Sequence, residues 1–233
     1  MDFSGRHVVV TGGTGALGAG IVGALLDAGA ICHLPHRKES EAQRFSHRQN
    51  KNVTLYSGIE LADEDSVARL FDKVPKLWAS IHAAGGFAAG PVAKTGKSEL
   101  MAQIETNLVS CFLCCKGAVN GFTRAQSGGR IVNVAARPAL EWRAGAGMAA
   151  YGAAKAGVAA LTVALAEEVA KDGILVNAVA PSIIDTPANR KAMPKADHAS
   201  WPKVEEIAAT ILFLASPDNK VTRGAVMPVY GKS

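Results

Sequence analysis

Two side chains capable of acid–base chemistry stand four residues apart, Tyr151 and Lys155. In a helix that spacing places both on one face. A tyrosine with an ordinary pKa of about 10 must come near 7 to exchange protons at neutral pH, a change of roughly 4 kcal/mol. A lysine cation about 4 Å away supplies about that much at an effective dielectric of 20. The pair therefore reads as a phenol acidified by an ammonium group. Taken alone, the same spacing also describes a weak surface contact; the small neighbours Gly152, Ala153, Ala154 and Ala156 point instead to a helix packed closely on something.

A second cluster consists of Gly12, Gly13, Gly15 and Gly18, with Thr14, Ala16 and Leu17 between them. It follows the apolar run His7 to Thr11 and opens an Ala/Leu-rich stretch. A backbone without Cβ atoms turns tightly and lets a pyrophosphate approach, while the free N–H groups and dipole of the helix start face it. Strand, turn and helix in that order read as a nucleotide cradle. No Gly-Lys-Ser or Gly-Lys-Thr follows, which excludes a phosphate-loop NTPase. Ala83-Ala84-Gly85-Gly86 ends a later apolar run and would let a ribose or adenosine lie close to the backbone. The two clusters cooperate only if both strands are central.

The elements that must position these residues alternate along the chain. Strand-like runs at His7 to Thr11, Ala30 to Leu34, Val53 to Ser57, Trp78 to His82, Arg130 to Ala135, Leu175 to Val179 and Ala225 to Val229 alternate with helical stretches. The helices are expected at Ala16 to Ala28, Glu39 to His47, Glu64 to Val74, Glu99 to about Thr123, about Ala150 to Ala170, and Glu205 to Ala215. Strands with near-continuous apolar character belong in a sheet covered on both faces. The expected fold is a three-layer, doubly wound α/β domain with a mostly parallel sheet of about seven strands, and ligands bind such sheets at the strands' carboxyl ends. The 233 residues are read as one domain, with a structured cover at about 185–202.

Composition narrows the function. With 48% hydrophobic and 19% charged residues, disorder and fibrous repeats fit poorly. The net charge of +5 comes without a basic stripe or tail, so no nucleic-acid partner is expected. No run of 18 apolar residues suggests a membrane partner, and Met1 to Arg6 lack a secretory pattern, so a cytoplasmic location is expected. Cys32, Cys111, Cys114 and Cys115 are read as thiols; the Cys111-x-x-Cys114 pair lacks a second ligand pair, neither His36 nor His82 joins a His/Asp/Glu ligand set, and no metal is expected.

Taken together, Thr11-Gly12 with Ala16 and Gly18, Ala83-Ala84-Gly85, Asn107, Ile131-Val132-Asn133, Tyr151 with Lys155, and Asn177 through Pro181 resemble the short-chain dehydrogenase/reductase family over essentially the whole chain. The resemblance implies a Rossmann-like fold, a nicotinamide cofactor, a small-molecule substrate and a homodimer or homotetramer. It implies that Tyr151 is the proton donor or acceptor, that Lys155 lowers its pKa and holds the nicotinamide ribose, and that Asn107 supports a proton-relay water. Pro181, Ile184 and Thr186 join the glycine turn, Ala83, Ala84 and Gly85 as cofactor-binding positions.

The departures are informative. The family's substrate-orienting serine should follow Asn133 closely, but Ala135 and Ala136 stand there, and no Ser or Thr occurs from Gly128 through Ala150. Gly85 to Gly90, that serine-free stretch, and Asp185 to Pro194 with Ala196-Asp197 and Ser200-Trp201 resemble the dihydropteridine reductase branch. That likeness implies hydride transfer to a quinonoid dihydropterin or related conjugated substrate, which needs a proton more than it needs alkoxide stabilisation. Two alternatives remain: a general carbonyl or alcohol oxidoreductase, and a catalytically weak nucleotide-binding regulator. After the second strand His33-Leu34-Pro35-His36-Arg37 offers no acid for the ribose of NADH; Arg37 suits a 2′-phosphate, giving NADP as the preferred cofactor and NAD as the other. The substrate pocket is expected to use Phe87, Ala136, Trp142, Met148 and Trp201.

Overall fold

Consecutive apolar residues in a strand point to opposite faces, so both faces must be covered if all are to be buried. The computed structural model describes residues 1–233, and its β1 (His7–Thr11) shows this directly. Val9 packs into one core and its neighbours Val8 and Val10 into another. The remaining strands are β2 (Ile31–His36), β3 (Val53–Ser57), β4 (Leu77–His82), β5 (Gly129–Val134), β6 (Ile174–Pro181) and β7 (Val226–Val229). All pair in parallel, in the order β3-β2-β1-β4-β5-β6-β7.

The helices are α1 (Ala16–Asp27), α2 (Glu39–Arg44), α3 (Glu64–Asp72), α4 (Lys97–Ile104), α5 (Ser110–Arg124), α6 (Ala149–Glu168), α7 (Pro187–Ala192) and α8 (Val204–Ala215). On one face Leu70 and Phe71 of α3, Ala118 and Phe122 of α5 and Val158 of α6 meet Val9, Ile131 and Val176. On the other, Ile21 and Leu25 of α1 and Ile207 and Ile211 of α8 meet Val8, Ile81 and Val132. Each of the Val, Leu, Ile and Phe side chains among them, fully buried, stabilises the fold by about 1.5–3 kcal/mol.

Strand order decides where a ligand can go. The chain leaves β1 toward β2 and β3, then returns to place β4 on β1's other side. Crossovers therefore diverge at the β1/β4 boundary, and the carboxyl ends there face an open crevice. Both small-residue turns sit at that boundary.

Three features depart from the sequence pattern. The second strand continues through Pro35 and His36; β1 pairs with β2 only as far as Val9↔His33, so the missing Pro35 N–H interrupts no β1 pair. The single long helix expected from Glu99 is α4 and α5 joined by a π-helical turn, Glu105–Val109. Helix α6, with 20 residues and a mean hydropathy of 1.4, is long and apolar enough to cross a membrane by length and composition alone. Here one face of it packs on the sheet, burying Lys155, Val158 and Thr162.

Candidate active site

The glycine turn is shaped by what lies beside it. Gly12 has φ +66°, and a Cβ there would stand 2.7 Å from the Ala84 nitrogen and 2.8 Å from its Cα. A Cβ on Gly18 would meet the Gly12 carbonyl oxygen at 2.0 Å. Only hydrogen fits at either position, so the end of β4 and the start of α1 press against the turn from two sides. Helix α1 begins at Gly15 with no side-chain cap and no acidic residue in its first turn. Its leading N–H groups and positive dipole end are free for an anion. Thr14, Ala16 and Leu17 complete this rim, with Gly15 and Ala16 exposed. The cradle fits a dinucleotide pyrophosphate.

Across the crevice, the π turn puts Asn107 among buried residues. Its amide grips one residue from both sides: Oδ1 accepts from the Gly86 N–H at 3.2 Å, and Nδ2 donates to the Gly86 carbonyl at 2.9 Å. Nδ2 also donates to the Gln103 carbonyl at 3.0 Å. A π turn shifts the side chains that follow it relative to a regular helix, and this one aims Asn107 at the loop leaving β4. Gly85 is tight as well: a Cβ would lie 2.8 Å from Asn107 Oδ1 and 3.3 Å from Lys155 Nζ.

Tyr151 and Lys155 face this crevice from the first turns of α6. Phe87 stands edge-on to the Tyr151 ring, with centroids 5.0 Å apart at 85°. The expected acidification of the phenol is not what the structure gives. Burial of Tyr151 pushes its phenol up to about 12. Burial is the cause, and Lys155, which donates its ammonium to the Val134 carbonyl at 2.8 Å and lies 6.0 Å from the tyrosine ring centre, does not offset it. Lys155 itself is only 5% exposed, and burial brings it down to about 8, with Cys111 pulling weakly the other way. At neutral pH this is a protonated phenol beside a buried cation.

The other expected residues fall in several places. Ala83, Ala84 and Gly85 follow β4, and Pro181 closes β6. Thr186 caps α7 by accepting from Asn189 N–H at 3.2 Å, while Asn189 Nδ2 donates to the Ile184 carbonyl at 2.8 Å. Arg37 follows β2, 64% exposed, in an ion pair with Glu60 at 3.5 Å. Ala135 and Ala136 are buried just beyond β5, and Met148 is the N-cap of α6. Trp201 is buried with its ring against His198. The cover is tied down at its ends by Asp185 N–H donating to the Pro202 carbonyl at 2.9 Å and braced by the two-pronged Arg190–Asp185 pair.

Trp142 departs from the pocket expected for it. It is 79% exposed in a groove of about 530 Å³ with Pro138, Ala149, Gly152, Ala153 and Ala156. Ala153 is two residues, about 200° of helix, from both Tyr151 and Lys155. The groove thus occupies a different face of α6. His82, which joins no His/Asp/Glu set, does lie beside two cysteines: His82, Cys111 and Cys115 are buried with their ligand atoms within 4.8 Å of one another. The sequence concealed this because the pairing is Cys111 with Cys115, one helical turn apart, and the histidine comes from a strand.

The short-chain dehydrogenase family model matches residues 6–197, and the chain belongs to that family. It is 34% identical to cis-4-hydroxycyclohexanecarboxylate dehydrogenase of Sinomonas cyclohexanicum, covering 98% of this chain and 96% of that one. It is 30% identical to BbsD of Thauera aromatica, a subunit of a hydroxy(phenyl)methylsuccinyl-CoA dehydrogenase, covering 99% and 97%. A solved structure described as ElxO with NADP bound superimposes with a TM-score of 0.89 at 26% identity, over 97% of this chain and 98% of that one. The chain is a nicotinamide-dependent oxidoreductase of the short-chain type.

Proposed function

We propose that the chain reduces a planar, conjugated substrate of the quinonoid dihydropterin kind, with NADPH preferred over NADH. The observation that carries this reading is the apolar wall beyond β5. Ala135 and Ala136 are buried there, in a stretch free of hydroxyl side chains from Gly128 through Ala150. A ketone reduced at this site would develop an alkoxide with no side-chain hydroxyl from that stretch to hold it, and loss of one such donor costs roughly 3–4 kcal/mol in acyl-transfer sites. A conjugated imine needs only a proton. The phenol of Tyr151, neutral up to about pH 12, keeps that proton until it is needed.

In this reading the turn from Gly12 to Gly18, including Thr14, Gly15, Ala16 and Leu17, would hold the pyrophosphate. Ala83, Ala84, Gly85, Pro181, Ile184 and Thr186 would line the rest of the cofactor site, and Arg37 would meet the 2′-phosphate. The bound nicotinamide supplies the hydride, which carries both electrons. Tyr151 gives its proton to a substrate nitrogen, and the buried Lys155 ammonium stabilises the phenolate left behind until solvent reprotonates it. Asn107 fixes Gly86, and so the loop carrying Phe87, whose exposed ring offers an apolar face to the substrate; it would also support a relay water. Ala136 and Met148 complete the pocket, and Trp201 anchors residues 185–202 as a cover that excludes water. Exposed Leu100, Met101, Phe112 and Val163 on α4, α5 and α6 suit self-association as a homodimer or homotetramer.

The relatives named as dehydrogenases of hydroxylated compounds favour a second reading, an alcohol or carbonyl oxidoreductase. NADPH consumption with quinonoid dihydropterin and with a panel of ketones separates them. Turnover on the pterin exceeding that on every ketone supports the first reading, and the reverse order overturns it. In either reading Tyr151→Phe lowers turnover about 10²-fold or more with cofactor Kd unchanged.

A further inference from the structure

Behind the site, on the side of the sheet away from α1, lies a buried polar cluster that neither reading uses. Its members come from three elements: His82 at the end of β4, Asn133 on β5, and Cys111 and Cys115 on the first turns of α5. His82 Nδ1 is 2.8 Å from Asn133 Oδ1, and its Nε2 is 2.8 Å from Ser80 Oγ. Cys115 Sγ is 3.6 Å from His82 Nδ1 and 3.6 Å from Asn133 Oδ1. The ligand atoms of His82, Cys111 and Cys115 all lie within 4.8 Å of one another, and all three residues are buried.

We infer that His82, Cys111 and Cys115 form a closed binding site for a thiophilic divalent cation of the zinc type, with Asn133 Oδ1 in reach as a fourth, weaker ligand. The spacing supports this. In a tetrahedral centre with bonds of about 2.3 Å to sulfur and about 2.0–2.1 Å to nitrogen or oxygen, a sulfur stands about 3.6 Å from either. Both contacts of Cys115 have that length already, and the Nδ1–Oδ1 pair, now 2.8 Å apart, would open to about 3.3 Å. A disulfide suits the pair less well: residues four apart on a helix hold their Cβ atoms about 5–6 Å apart, whereas a disulfide needs about 3.5–4.5 Å. A bridging cation spans the wider gap.

The second layer is also in place. Without metal, Nδ1–H donates to Asn133 Oδ1, which can only accept; a ligating Nδ1 gives up that proton, Nε2 carries one instead, and Ser80 Oγ stands where it can turn to accept that N–H. Asn133 is held in turn, its Nδ2 donating to Thr162 Oγ1 at 2.9 Å. Charge balances too. Two thiolates with a divalent cation form a neutral unit, which adds no net charge beside the buried Lys155. With no position left open to substrate, the site is structural. It would tie α5 to β4 and β5 directly below the Asn107 turn.

The test is titration of the full chain, kept reduced with a phosphine, with Co²⁺ and then Zn²⁺. Cobalt is added both to the folded protein and during refolding from urea, so that slow access to a buried site does not mask binding. The expected result is one Co²⁺ per chain with sulfur-to-cobalt charge transfer and the intense visible bands of tetrahedral coordination, displaced by Zn²⁺. At about a hundredfold excess of Zn²⁺ over its Kd, Tm rises by roughly 5–10 °C. The bands vanish in Cys115→Ser and persist in Cys114→Ser. Should Cys115→Ser fail to fold, Ser80→Ala decides: affinity weakened about 10–100-fold supports the site, and unchanged affinity overturns it. Weak octahedral spectra by both routes of addition, or bands that survive in folded Cys115→Ser, also overturn it.

Discussion

Replacing Lys155 with methionine should separate stability from activity. The ammonium is buried, and its pKa falls from 10.5 to about 8 because burial disfavours its charged form. That difference corresponds to roughly 3 kcal/mol. Because the folded-state value lies below the unfolded one, the cost is fully present below about pH 8 and is relieved as pH rises toward 10.5. Methionine has a similar shape and no charge, but it leaves the Val134 carbonyl without the donor now 2.8 Å away, a loss of about 1–3 kcal/mol. The two effects nearly cancel at pH 7, so Lys155→Met should match the wild type there to within about 2 kcal/mol. At pH 10 the wild type has recovered most of its penalty, and the variant should have lost roughly 2–3 kcal/mol relative to it. Activity behaves differently. A cation 6.0 Å from the Tyr151 ring stabilises a developing phenolate by about 3 kcal/mol at an effective dielectric of 20, which is about a hundredfold in rate. Urea unfolding of both proteins at pH 7 and pH 10, with NADPH-dependent turnover at pH 7, measures all three quantities. A pH-independent stability difference between the two proteins would refute the burial argument, and undiminished turnover would refute the electrostatic one.

Three further outcomes follow from the same geometry. Gly12→Ala puts a Cβ 2.7 Å from the Ala84 nitrogen at φ +66°; strain of about 1–3 kcal/mol should weaken NADPH binding at least about tenfold by fluorescence titration, with the far-ultraviolet circular dichroism unchanged. Arg37→Asp should reverse the proposed preference for NADPH while altering stability by less than about 1 kcal/mol, since its Glu60 partner is an exposed contact; identical Kd values for both cofactors before and after the change would remove Arg37 from the site. His33 is held down to about 4 by burial, with His7 adding to the effect. Stability should therefore decline by roughly 3 kcal/mol as pH falls from 6.5 toward 4, and His33→Gln should flatten that slope in urea midpoints measured across the range.

What the chain's order of residues determined is local. Apolar runs of strand length marked the seven strands, because burial on both faces leaves a continuous pattern. The spacing of Tyr151 and Lys155 placed them on one helical face, and the glycines marked a turn where no Cβ fits. Each of these follows from contacts within a turn or two of chain. Tertiary structure decided the rest. Strand order brought the turn after β1 against Ala83 and Ala84. The end of β5 presented the Val134 carbonyl to Lys155, and burial of Tyr151 raised its phenol, opposite to the direction read from spacing alone. The turn before α6 set Trp142 over a groove on another face of that helix, and packing of one face on the sheet occupies a segment apolar enough to cross a membrane. His82, Cys111 and Cys115 met for the same reason: a sheet joins residues across its strands and covering helices, and no periodicity within one segment records which strand will lie beside it.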